Sequence, residues 1–113
     1  MIEARNRVFS IIEIGRTFEE LYLSCSEIFK KNGFERYLPG RIGHGIGLSF
    51  HEYPSISIGN KIPLSSGMVF TIEPGIMDKE FGGVRHSDTI HITENGFEFS
   101  NNLNRDKWSI IID

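Results

Sequence analysis

Gly43-His44-Gly45-Ile46-Gly47-Leu48-Ser49-Phe50-His51-Glu52-Tyr53-Pro54, followed about twenty residues later by Thr71-Ile72-Glu73-Pro74-Gly75, sets imidazoles and a carboxylate on backbone punctuated by glycine. Neutral imidazole nitrogen and carboxylate oxygen are good ligands for divalent cations, so the composition suits a metal centre. A glycine on each side of His44 is expected to let the backbone pass close to a bound ion or substrate. Turn chemistry at Glu73-Pro74-Gly75 is expected to fix where the carboxylate points.

Upstream of this stretch the pattern is helical. Ala4, Val8, Ile11 and Ile12 recur at helical spacing between Ile2 and Ile14, with Arg5, Asn6 and Glu13 off the apolar stripe, and Gly15 stops the run. Thr17-Phe18-Glu19-Glu20 reads as a capping box opening a second helix with Leu21, Ile28 and Phe29 inward. Lys30 and Lys31 suit its C-terminal dipole and Gly33 ends it. Beyond Pro39 the pattern changes to short runs bounded by glycine and proline: Ser55 to Ile58, Met68 to Ile72, Thr89 to Thr93 and Gly96 to Phe99. The last two are separated by Glu94-Asn95 and read as a hairpin. The tail Trp108 to Asp113 is apolar enough for a further strand. Helices followed by antiparallel strands predict an α+β fold.

Composition bounds the function. A chain of 113 residues with 39% hydrophobic content and nine phenylalanines can build one small core. A formal charge of −3 and scattered basic residues give no general attraction to nucleic acid or anionic lipid. No apolar run approaches the roughly twenty residues needed to cross a bilayer, and nothing reads as a signal peptide. The single cysteine, Cys25, falls in an apolar helical pattern and reads as a buried, reduced thiol, so a cytoplasmic setting is expected.

Three segments in order, Gly43 to Pro54, Leu64 to Gly75 (LSSGMVFTIEPG) and Gly82 to Gly96 (GGVRHSDTIHITENG), resemble the C-terminal half of the catalytic domain of the pita-bread metallopeptidases. That group comprises methionine aminopeptidases, Xaa-Pro aminopeptidases, Xaa-Pro dipeptidases (prolidases) and creatinase-like enzymes. The resemblance implies that residues 1–113 form part of a pita-bread catalytic domain, two helices followed by a curved antiparallel sheet. It also implies a dinuclear centre of two aspartates, one histidine and two glutamates, both aspartates lying in an N-terminal half that has no counterpart in this sequence. The acids near the start, Glu3, Glu13, Glu19 and Glu20, read as solvent-facing helix and do not replace them.

Carried onto this chain, the resemblance makes His44 a metal ligand and Glu73 both a metal ligand and a general base. His51 becomes the histidine that faces substrate and stabilises an oxyanion, and Arg85 an anchor for substrate. The competing readings are a turn histidine for His44, an exposed loop histidine beside Glu52 for His51, and a surface ion pair with Asp88 or Glu80 for Arg85. His91 reads as an ordinary cross-strand residue. The sequence departs from the group at Val84-Arg85-His86-Ser87-Asp88-Thr89, where prolidases usually read Val-Arg-Ile-Glu-Asp-Thr. Ser87 thus stands where a glutamate bridges two metals, and a neutral hydroxyl offsets less cation repulsion. Strand alternation would put His86 and Asp88 on the face that Ser87 does not share.

These features lead to a metal-dependent hydrolase acting on the N-terminal peptide bond of small peptides, Xaa-Pro by preference, with manganese or cobalt as the expected metal and zinc or iron as alternatives. The chain by itself is expected to be inactive and to bind metal weakly. The alternatives are a creatinase-type hydrolase of non-peptide C–N bonds and a non-catalytic half-fold binding module. An in-frame upstream segment with two aspartates about a dozen residues apart discriminates between enzyme and module. An exposed sheet edge leaves room for a homo-oligomer.

Overall fold

In the computed structural model, which describes residues 1–102 and 105, the helical front consists of α1 (Ile2–Ile11) and α2 (Phe18–Lys31) packed on each other. The capping box of α2 forms as its residue types require. Thr17 Oγ1 accepts from the Glu20 amide at 3.2 Å, and the Glu20 carboxylate accepts from the Thr17 amide at 2.7 Å. Helix α1 is shorter than its apolar spacing predicts. Ile12 is already extended, because the chain that follows pairs with residues 60–64: Gly15 N–H donates to Leu64 O at 3.0 Å and Leu64 N–H to Arg16 O at 2.7 Å. Backbone bonds to a distant segment thus replace the next helical turn.

The strands are β1 (His44–Gly45), β2 (Glu52–Ser55), β3 (Val69–Ile72), β4 (Gly75–Asp78), β5 (Gly82–Arg85), β6 (Asp88–Thr93) and β7 (Gly96–Phe99). Five of them form an antiparallel sheet in the order β2-β1-β3-β6-β7, and β4 pairs with β5 separately. The β6–β7 hairpin turns at Glu94-Asn95 as expected. In place of the expected strand from Ser55 to Ile58, β2 runs Glu52–Ser55 and shares only Ser55 with it, because pairing with His44–Gly45 sets its register. Pro54 is tolerated there because β2 is an edge strand. The β4–β5 hairpin had no apolar alternation to announce it. Its turn is held by Asp78, whose carboxylate accepts from the amides of Glu80 at 2.7 Å and Phe81 at 3.3 Å. The expected strand Trp108 to Asp113 lies outside the described residues.

Helices and sheet share one core, in which Ala4, Val8, Leu21 and Cys25 from the helices meet Phe70, Ile72, Ile90 and Ile92 from β3 and β6. Phe18 packs edge-on to Phe70 with centroids 5.2 Å apart, both fully buried. Arg5 departs from the sequence reading: although off the apolar stripe, it is only 1% exposed. Its guanidinium donates through Nη2 to Arg105 O at 2.7 Å and to the Asn6 side chain at 3.1 Å, and through Nε to the same Asn6 oxygen at 3.3 Å, which gives the buried charge polar partners. Among the described residues no helix is long and apolar enough to cross a membrane.

Candidate active site

Glycines on either side of His44 are required by the strands beside them. A Cβ at Gly43 would lie 1.9 Å from Thr71 O, and one at Gly45 would lie 2.5 Å from Tyr53 O. The missing side chains therefore let β1 fit between its two neighbouring strands. That close fit buries His44 to 2% exposure beside β3, where its backbone amide donates to Thr71 Oγ1 at 3.1 Å. The His44 ring is oriented by its own strand. Nδ1 lies 2.8 Å from Gly45 O, and a carbonyl oxygen can only accept, so Nδ1 carries a proton and, in the neutral ring, Nε2 holds the lone pair.

That lone pair faces Glu73, with Nε2 3.7 Å from Oε1. Two electron-pair donors facing one another repel unless a proton on Nε2 or a cation lies between them, and a nitrogen–oxygen pair is a fitting set for a divalent metal. Glu73 is held just past the end of β3. Its amide donates to Ile42 O at 2.6 Å, and its side chain is 15% exposed. Arg85 Nη1 approaches the same Oε1 at 3.7 Å, and the Ser87 hydroxyl donates to Oε2 at 3.3 Å. The site is thus one carboxylate on which an imidazole, a guanidinium and a hydroxyl converge. Among the described residues no group of three or more His, Cys, Asp or Glu side chains gathers as a metal would need.

His51, exposed in the loop after β1, stacks edge-on to His44 at 4.2 Å between ring centroids, with Phe50 4.5 Å from His51. Glu52, its sequence neighbour, instead accepts from the Ser49 amide at 2.8 Å and closes the loop. A cleft of about 490 Å³ opens beside these groups, lined by Pro39, Gly40, Arg41, His51, Ser55, Ser57, Glu73 and Arg85. A hollow of about 540 Å³ between the end of α1 and the β6–β7 turn carries no imidazole, whereas the former is lined by His51 and Glu73. Arg41, Ser55 and Ser57 were not singled out from sequence, since a lone arginine and two serines outside the histidine and glutamate motifs leave no pattern to read.

The departure at residues 85–88 resolves into two faces. Residues 86 and 87 lie outside any strand, yet their side chains still diverge: Ser87 turns to Glu73, while His86 Nδ1 lies 3.2 Å from Asp88 Oδ2. Asp88, fully buried, accepts from Arg105 Nε at 2.8 Å. Its carboxylate is therefore paired with Arg105, with the His86 ring beside it, and Arg85 pairs with Glu73 rather than with Asp88 or Glu80. His91 sits opposite Glu98 on the β6–β7 ladder, 4.0 Å from Nδ1 to Oε2, and away from the cleft lining.

The model of metallopeptidase family M24 matches residues 1–94. This chain belongs to that family. Among its curated relatives, an Xaa-Pro dipeptidase of Pyrococcus furiosus is 45% identical over 96 residues, covering 85% of this chain and 28% of the relative. A putative dipeptidase of Bacillus subtilis, YkvY, is 43% identical over 96 residues, covering 85% of this chain and 26% of the relative. Among solved structures, the X-Pro aminopeptidase of Thermotoga maritima superposes with a TM-score of 0.87 at 36% identity, over 92% of this chain and 30% of that one. The fold is accordingly the two helices and antiparallel sheet of the pita-bread architecture. The chain spans under a third of the length of these relatives. Membership in a metallopeptidase family implies use of a divalent metal.

Proposed function

We propose that this chain contributes the histidine–glutamate half of the active site of an Xaa-Pro dipeptidase or aminopeptidase, which hydrolyses the N-terminal peptide bond of small peptides. The convergence of His44 Nε2, Arg85 and Ser87 on the Glu73 carboxylate, beside His51 and the cleft, carries this reading. His44 and Glu73 would hold the metal, manganese or cobalt by preference, which supplies Lewis acidity to polarise a carbonyl and acidify water. Glu73 takes up a proton as general base. His51, with its ring in the open beside His44, donates a hydrogen bond to the developing oxyanion. Arg85 offers the free part of its guanidinium fork to the far end of the substrate while pairing with Glu73 beside it.

Two protein ligands leave most of a cation's coordination to water, so the chain alone binds metal weakly and does not turn over Ala-Pro. Titration calorimetry with manganese or cobalt, together with an Ala-Pro assay, tests this directly. Submicromolar affinity for two metal equivalents, or turnover by the chain alone, contradicts the half-site reading. Turnover should appear when the chain is joined to an N-terminal segment carrying the two aspartates. Failure there, with the metal bound, favours the second reading, a hydrolase of non-peptide C–N bonds, for which Ser87 in place of a bridging carboxylate is the supporting observation. Failure to bind metal even when joined favours a non-catalytic binding module.

A further inference from the structure

Thr71 is buried beside the site, outside the cleft lining, and the proposed reaction gives it no part. Pairing of Gly45 with Phe70 sets the register of β1 on β3. His44 therefore lies directly across from Thr71, and Ile42 across from Glu73, whose amide donates to Ile42 O. Directly opposed residues share a face of the sheet, as do residues two apart on one strand, so His44, Thr71 and Glu73 project to the same side. The Thr71 hydroxyl is turned onto the backbone of His44: Oγ1 accepts from the His44 amide at 3.1 Å and donates to His44 O at 3.5 Å. Strand β1 has little else to fix it at this point. It is two residues long, and its pairing with β2 slips between His44, opposite Ser55, and Gly45, opposite Glu52. Pro54, inside the slipped stretch, has no N–H to offer.

We infer that Thr71 is a positioning residue for the metal pair: its hydroxyl holds the His44 peptide so that the imidazole stays aimed at the carboxylate carried two residues further along the same chain segment. This rests on the reading of His44 and Glu73 as metal ligands. The ring has one anchor of its own, Nδ1 on Gly45 O, but that carbonyl belongs to the next residue of β1 and orients the ring only as well as the strand is held. Without the hydroxyl the His44 amide, in a residue 2% exposed, loses its acceptor. A buried donor left unpaired is costly, so the peptide turns toward another acceptor and carries Nε2 away from Glu73 Oε1. Valine keeps the branched shape that suits a buried strand and deletes the bond, whereas serine keeps the bond and deletes the branch. A role in shape alone ranks threonine and valine above serine; a positioning role ranks threonine first, serine second and valine last.

The test compares the 113-residue protein with Thr71→Val, Thr71→Ser and, as a control for a loosened core, Ile90→Val. Two quantities are read by NMR: hydrogen exchange of the His44 amide relative to that of Ile56, and manganese affinity from paramagnetic broadening around His44 and Glu73. In Thr71→Val the His44 amide should exchange about tenfold faster relative to Ile56, and manganese should bind about tenfold more weakly. Thr71→Ser should keep most of both. Ile90→Val should lower the melting temperature and leave both unchanged. Wild-type exchange or wild-type affinity in Thr71→Val, a loss in Thr71→Ser as large as in Thr71→Val, or an equal loss of affinity in Ile90→Val overturns the inference. If Thr71→Val does not fold, Thr71→Ser against Thr71→Ala, which differ by the hydroxyl alone, carries the same comparison. Failure of the metal reading has a different signature: no manganese broadening at His44 and Glu73 in the wild type, with the faster His44 exchange of Thr71→Val intact.

Discussion

Replacing Gly43 by alanine tests whether the glycines of the motif exist for strand packing. The new Cβ would meet Thr71 O at 1.9 Å and Ile56 Cδ1 at 2.8 Å, and the first contact must open by about 1.1 Å merely to reach 3.0 Å. Backbone on both sides must give. The movement pulls on the bonds from Glu73 N to Ile42 O and from Ile56 N to Gly43 O, at 2.6 and 3.0 Å. Overpacking costs about 1–3 kcal/mol, and weakening one or two buried hydrogen bonds adds about 0.5–1.5 kcal/mol each. The expected loss is therefore about 2–5 kcal/mol, a large part of the roughly 5–15 kcal/mol that holds a small domain together. Urea unfolding followed by circular dichroism measures it, with Gly40→Ala as control, because a Cβ at Gly40 meets nothing within 4 Å. A loss below about 0.5 kcal/mol for Gly43→Ala, or an equal loss in the control, refutes the packing argument.

Burial pushes the Cys25 thiol up to about 12, so at neutral pH it stays protonated, and a thiol reagent should label the native protein far more slowly than the urea-unfolded chain. Rapid stoichiometric labelling of the native state contradicts its placement in the core. The Thr17 amide, and then the Arg16 side chain, hold the Glu20 carboxyl below its ordinary value. A depressed folded value means that the stabilisation is present above the unfolded value and is lost as the pH falls through the folded one. Glu20→Gln should thus narrow the difference in melting temperature between neutral and acidic buffer; an unchanged difference shows that the cap is not felt. Ser87→Glu places a second carboxylate against Glu73, so the melting temperature without metal should fall. Manganese should then bind more tightly than to the wild type, by about 1–4 kcal/mol for one added charge near 4 Å, and should restore the melting temperature. If calorimetry finds no gain in affinity, Ser87 does not occupy the bridging position.

What could be read from the chain alone was local or carried by a motif. The capping box at Thr17 and Glu20, the stop at Gly33 and the two-residue turn at Glu94-Asn95 each depend on residues within a few positions of one another. The motif residues His44, His51, Glu73, Arg85 and Ser87 were legible as a set through resemblance, and the fold brings them together. Features decided by distant partners were not legible. Helix α1 ends early because residues 60–64 claim the backbone after Ile12, and β2 starts at Glu52 because His44–Gly45 sets its register. The β4–β5 hairpin contains Gly82-Gly83 and lacks the alternation of a half-buried strand. The glycines beside His44 looked like room for a ligand, when the neighbouring strands already fill that room.

The buried Arg5 gives the first helix a second occupation. Its guanidinium grips the backbone of Arg105, the Arg105 side chain lies over Phe99 and grips Asp88, and Asp88 adjoins the residue whose hydroxyl meets Glu73. Four links thus run from the N-terminal helix to the Glu73 carboxylate, through Arg105, Asp88 and Ser87, so two arginines, a residue type usually found on the surface, stand at its beginning. A change of residue 5 accordingly withdraws a partner from Arg105, and through it from the surroundings of Asp88, although α1 contributes no residue to the cleft lining.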